Sequence, residues 1–166
     1  MIMIIIVITP QSPRLVEKAH QHLAKINGQD KLSEAALLEQ IGTSLKYGRR
    51  IGNSYTASLY VGLTALLDLS EKDLSDKRIG FYSYGSGCVA EYFSGVVQKD
   101  YKTALNTDFH QKMLDSRTML SYPEYEKFYS YLYPEDGSHR EMPSHQTGHF
   151  RLAAIRDHKR IYERLT

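Results

Sequence analysis

Two short motifs hold residues whose types and spacing could do chemistry. Gly52-Asn53-Ser54-Tyr55-Thr56 stands directly before an apolar stretch. Asn and Ser there can cap a helix by accepting its first backbone N–H groups. Turned outward, the amide of Asn53 could instead donate to a substrate carbonyl beside a helix N-terminus, where donors and the helix dipole stabilise developing negative charge. The second motif, Ser83-Tyr84-Gly85-Ser86-Gly87, follows a strand-like run. Its glycines suit a hairpin turn at positive φ. They would also let Ser86 and its N–H come close to a substrate oxygen. The spacing is not that of a G-x-S-x-G nucleophile elbow and no helix follows, so Ser86 is not read as a nucleophile.

Three further groups have plainer readings. Cys88, the lone cysteine, reads as a small buried hydrophobe. A catalytic thiolate needs a neighbouring base or cation, and none stands near it in sequence. His145 and His149 are spaced i, i+4, which would suit a metal on a helix, but Gly148 and the loop-like surroundings argue against one, so no metal is expected. The basic run Arg156 to Arg160 contains Asp157 and is followed by Glu163, the pattern of a solvated hairpin face.

The elements that must position these residues can be read in outline. Met1 to Ile8 is wholly apolar with five Ile, the pattern of a strand buried on both faces and needing neighbours on both sides. Ser12-Pro13 opens a helix with Leu15, Val16, Ala19 and Leu23 on one face, closed by Asn27-Gly28. Ser33 opens a second helix through Leu37, Ile41 and Leu45, with Gly48 as its stop. Residues 54–69 form a third helix, apolar almost all round and therefore buried between layers. Strands are expected over 78–84 and 89–97, joined by a tight turn. Tyr-rich helices are expected over 108–120 and 123–133, a loop over 134–149, and a closing hairpin over 150–163 that turns near Asp157. This order gives a mixed α/β layered architecture in a single domain, 1–166.

Composition removes several functions. At 166 residues, 42% apolar and 24% charged, the chain can bury a core and is not intrinsically disordered. One Cys forms neither an intrachain disulfide nor a four-ligand zinc site. A net charge of +2 gives no general reason to expect nucleic acid. The eight-residue apolar start is far short of the ~18–20 residues that span a bilayer, and it lacks the flanks of a signal peptide. No membrane partner is expected, and the setting reads as cytoplasmic.

Taken in order, residues 52–60 (Gly-Asn-Ser-Tyr-Thr-Ala-Ser-Leu-Tyr) and 81–91 (Phe-Tyr-Ser-Tyr-Gly-Ser-Gly-Cys-Val-Ala-Glu) resemble the C-terminal half of the 3-hydroxy-3-methylglutaryl-CoA synthase family. The interval between Asn53 and Ser86 and the closing segment around Arg156 to Arg164 fit the same family, over most of residues 9–166. The resemblance implies a thiolase-like layered half, a mixed sheet with helices. It implies a Claisen-type condensation of acetyl-CoA with acetoacetyl-CoA to HMG-CoA in the mevalonate pathway, with CoA thioesters as substrates and no other cofactor. Asn53 and Ser86 would contact the acyl group. Lys18, with Arg14 beside it, would face the CoA phosphates. The family's nucleophilic Cys and general-base Glu belong to the N-terminal half, and its His would fall on Ile8 or Thr9, so no catalytic residue is assigned here. The chain is then expected to be inactive alone, to partner a missing N-terminal half and to form a homo-oligomer. The other readings are a non-catalytic acyl-CoA-binding or structural module, and a thiol enzyme working through Cys88.

Overall fold

The Ile-rich start forms a strand, β1 (Met3–Ile8). The structure, a computed structural model, describes residues 3–8 by their backbone and residues 13–85, 87–131, 134–144 and 148–165 in full. They fall into two compact units, Met1–Arg117 and Thr118–Thr166.

In the first unit β1 pairs in parallel with β2 (Arg78–Gly85), from Met3 opposite Arg78 to Ile8 opposite Ser83. β2 pairs antiparallel with β3 (Val89–Val96), so β2 is the central strand of three. Among the described residues β1 has this one partner strand, where two were expected. Parallel pairing requires a long crossover, and a run of helices supplies it.

Helix α1 (Pro13–Ile26) begins on a proline, whose missing N–H would have had no helical partner there. Val16, His20 and Ala24 form its buried stripe, while Leu15 is exposed. Gly28 ends the helix at φ +73, with Gln29 N–H donating to Ala24 O and Gly28 N–H to Lys25 O. These two bonds make a Schellman motif.

The second expected helix is three pieces in one rod: α2 (Glu34–Leu37), a π turn (Leu38–Gly42) and α3 (Thr43–Ile51). Ser33 caps it by accepting Ala36 N–H at 3.2 Å. Gly48 does not stop it. The backbone stays helical through Gly48 and breaks at Gly52, where φ is +87. Leu45 and Ile41 pack on Val16 of α1.

Helix α4 (Ala57–Leu69) is buried on two sides, as its apolar surface requires. Leu59 and Leu66 meet Ile79 and Phe81 of the sheet, together with Leu74 and Tyr101. On its other flank Ala65 meets Tyr47 of α3 and Leu114 of α5 (Thr107–Asp115). Helix α5 is shorter than expected, and residues 117–120 are not helical.

The second unit holds α6 (Tyr122–Tyr129) and a three-stranded antiparallel sheet. Ser121 and Glu124 close α6 with a reciprocal capping box. The expected loop contains a short strand, β4 (Arg140–Glu141), which pairs with β5 (Phe150–Arg156). β5 turns into β6 (Lys159–Arg164) through Asp157 and His158, both at positive φ (+48 and +60). Two left-handed residues in a two-residue loop are what the twist of a hairpin favours. Arg156, Lys159 and Arg160 are exposed, as a solvated face predicts.

Candidate functional site

The site is set by which end of the sheet its loops share. Ile8 opposite Ser83 brings the carboxyl ends of β1 and β2 together. Ligands of open α/β sheets sit beyond such ends. The chain leaves β1 there and enters α1, whose first turn carries Arg14. The β2–β3 connection, residues 86–88, leaves β2 at the same end, since Gly85 pairs with Val89. Helix α4 lies along β1 and β2 and joins β2 through residues 70–77. The Asn53 turn stands before its first residue, between α3 and α4.

Asn53 is exposed, in the turn between α3 and α4. Its Oδ1 accepts Tyr55 N–H at 2.7 Å, an Asx turn. That bond orients the side chain and leaves the Nδ2 amide as the donating end. The capping expectation for Ser54 is corrected. Ser54 N–H instead donates to Ser58 Oγ at 3.0 Å, and the residue that precedes α4 is Thr56, whose side chain makes no cap bond. Tyr55 takes the left-handed region at φ +53, an uncommon state for a non-glycine residue. Ser86 lies outside the described residues, as does His145. His149 is exposed.

Cys88 is not a buried hydrophobe. It is exposed on the hairpin tip at φ +56, because the three-residue connection places its left-handed residue at Cys88 and not at Gly85 or Gly87.

Arg14 and Lys18 lie i, i+4 on the exposed side of α1. Arg14 also lines a cavity of about 720 Å³ between α1 and the α2–α3 rod, with Glu17, Leu37, Leu38 and Arg49. Across it Arg49 and Glu17 pair at 2.8 Å. Such a half-exposed pair adds little stability but fixes two side chains at the cavity wall.

A polar cluster around one shielded carboxylate is not visible in the sequence. Asp68, on α4, has a fully shielded side chain. It accepts from Tyr47 Oη at 2.8 Å, Thr107 Oγ1 at 3.1 Å and His110 Nδ1 at 2.7 Å. A carboxylate only accepts, so His110 carries its proton on Nδ1. Gln111 Nε2 donates to Tyr47 Oη at 3.0 Å. Burial, reinforced by the Asp68 carboxylate, pushes the Tyr47 phenol up to about 12. The partners come from α3, α4 and α5 at separations of 21 to 64 residues, so no local spacing announces them. Among the described residues no group of three or more His, Cys, Asp or Glu could hold a metal, and no helix is long and apolar enough to cross a membrane.

Comparison with known proteins places the chain in a family. Residues 13–149 match the family described as hydroxymethylglutaryl-coenzyme A synthase C terminal. The chain is 42% identical over 108 residues to hydroxymethylglutaryl-CoA synthase of Enterococcus faecalis, covering 65% of this chain and 28% of the relative. It is 35% identical over 114 residues to the polyketide biosynthesis 3-hydroxy-3-methylglutaryl-ACP synthase PksG of Bacillus subtilis, covering 68% of this chain and 27% of that protein. Among solved structures, an HMG-CoA synthase complexed with CoA superposes with a TM-score of 0.68 at 37% identity, over 87% of this chain and 38% of that one. The chain thus spans under a third of the length of these curated relatives.

Proposed function

Because this chain belongs to the hydroxymethylglutaryl-CoA synthase family and corresponds to its C-terminal part, we propose that it supplies the acyl-binding wall of a synthase that condenses acetyl-CoA with acetoacetyl-CoA to HMG-CoA. The observation that carries this reading is the exposed Asn53 side chain, whose Oδ1 is tied to Tyr55 N–H so that Nδ2 is the end left to donate, in a chain whose β1 and β2 end together. In this reading Asn53 Nδ2 donates to the acyl carbonyl, Ser86 contacts the same group, and Arg14 and Lys18 meet the CoA phosphates. A planar guanidinium and an ammonium both suit phosphate, the first in bidentate fashion.

The chemistry needs a nucleophile and a base that none of these residues provides, and amide contacts alone contribute a modest part of such a rate. The chain alone is therefore proposed to bind without turning over. Its complement would be the family's N-terminal half, in a homo-oligomeric enzyme of the mevalonate pathway with a cytoplasmic setting. That a related structure is an HMG synthase in complex with holo donor-ACP makes an acyl-ACP the competing substrate form.

Calorimetry with acetoacetyl-CoA tests the reading. Micromolar binding that Asn53→Ala abolishes supports it. Equal binding by Asn53→Ala refutes the role of Asn53. Binding without CoA release after mixing with a separately made N-terminal half would favour a non-catalytic module.

A further inference from the structure

We infer that Arg117, with Asp115, positions Asn53 by holding the last turn of α3. The inference rests on the acyl-binding reading of Asn53 given above. The final carbonyls of a helix lack helical partners. Here Arg117 Nη1 donates to the Arg50 carbonyl at 2.7 Å, and Arg50 Nη2 donates to Asp115 Oδ1 at 2.8 Å. The end of α5 and the segment after it thus cap α3 from outside. Only Ile51 and Gly52 separate that cap from Asn53.

Beyond Asn53 the turn is held locally. Tyr55 N–H returns to Asn53 Oδ1, Ser54 N–H to Ser58 Oγ, and Ala57 N–H to Ser54 O. These bonds fix the shape of the turn but not its place. Tyr55 at φ +53 holds a conformation that a released chain would leave, and Gly52 at φ +87 gives the chain freedom to swing there. Place comes from the two helices that flank the turn. Helix α4 is locked in the core, and α3 is locked to α5 by the Asp68 cluster at Tyr47 and by Arg117 at Arg50. Arg117, 67 residues from Arg50 in sequence, bonds to the backbone three residues before Asn53; it is exposed and can be changed without opening the core.

The side-chain amide signals of Asn53 in a ¹H–¹⁵N spectrum of the labelled chain, identified by their loss in Asn53→Asp, read this directly. Arg117→Ala is expected to shift or broaden those signals and the backbone signals of Gly52 and Tyr55, while Ala65 and Ile79 in the core keep theirs. Arg117→Lys, which can still donate to the carbonyl, should restore them in part. Lys72→Met, which breaks the exposed pair with Glu39, should leave them in place. Acetoacetyl-CoA binding should weaken about five- to tenfold in Arg117→Ala, the loss of one charge-assisted positioning bond. Unmoved Asn53 signals in folded Arg117→Ala, or equal movement in Lys72→Met, overturn the inference. Should Arg117→Ala lose the core signals, Asp115→Ala decides on the same peaks. A wild-type chain that does not bind acetoacetyl-CoA sinks the acyl-binding reading, and the spectra still decide the positioning.

Discussion

Replacing Asp68 puts a number on the buried cluster. Asp68→Ala removes an acceptor shared by three donors and leaves the Tyr47 O–H, whose residue is 4% exposed, without its acceptor, Gln111 only donating to it. A buried donor that loses its partner costs about 1–3 kcal/mol. Thr107 and His110 are half-buried and can rehydrate, so each adds about 0.5–1 kcal/mol. The sum is about 3 kcal/mol, a large share of the ~5–15 kcal/mol that holds a domain. Urea unfolding by circular dichroism should show it as a lower midpoint at unchanged slope. Tyrosine absorbance near pH 10–12 gives an independent readout. Burial is the larger cause of the raised Tyr47 phenol and the Asp68 carboxylate the next, so the alanine variant should ionise Tyr47 earlier without returning it fully to 10. The sign follows from linkage. A phenol raised in the folded state contributes stability that is present below its unfolded value of 10 and is lost as pH climbs through about 12. The wild type should therefore weaken over that alkaline window, and Asp68→Ala should weaken less steeply. A cost below 1 kcal/mol with an unchanged Tyr47 titration would refute the reasoning.

The glycine within α3 and the one that ends it should respond with opposite signs. Gly48→Ala places a methyl in open space within a helix and should stabilise by about 0.5–1 kcal/mol. Gly52→Ala forces φ +87 on an L residue and should cost about 1–3 kcal/mol in the same thermal melt. Ser121→Ala removes one half of the α6 capping box and should cost about 1 kcal/mol, read as a lower melting midpoint. Ser121 also holds the Glu124 carboxyl below its ordinary range, so this contribution is present above that range and fades as pH falls through the lowered value. Cys88 should react with Ellman's reagent at one thiol per chain without denaturant, since it is exposed on the hairpin tip. Protection until unfolding would contradict that placement.

What the sequence made legible was local. Pro13, the Asn27-Gly28 stop, the Ser33 cap and the Asp157 turn each act through bonds to residues within a few positions, and each lies where local rules put it. The failures have a common cause. Gly48 looks like a stop only if tertiary packing is ignored. Tyr47 and Ser44, buried in the turn before it, anchor the helix, and Arg50 beyond it is tied to Asp115 and Arg117. The π turn at Leu38–Gly42 lets Gln40 reach His20 of α1, at 2.6 Å, and has no local marker. Cys88 was misread because composition says how often cysteine is buried, not which residue of a three-residue connection must take φ +56.

The candidate site divides along the same line. Asn53 announced itself by type and by the glycine before it, because the turn's own shape depends on both. Where that turn stands is set by residues that announce nothing: Asp68, His110 and Arg117 are ordinary polar residues until α3, α4 and α5 converge. Asp68 ties the body of α3 to α4 and α5, and Arg117 ties its end, so two contacts far apart in sequence constrain one helix against rotation and translation. A helix held at one point can pivot, whereas one held at a buried carboxylate and again at its terminal carbonyl cannot do so without breaking a charge-assisted bond. The amide proposed to face the ligand thus takes its type from a local motif and its position from a distant one, and substitutions at Asn53 and Arg117 should separate the two.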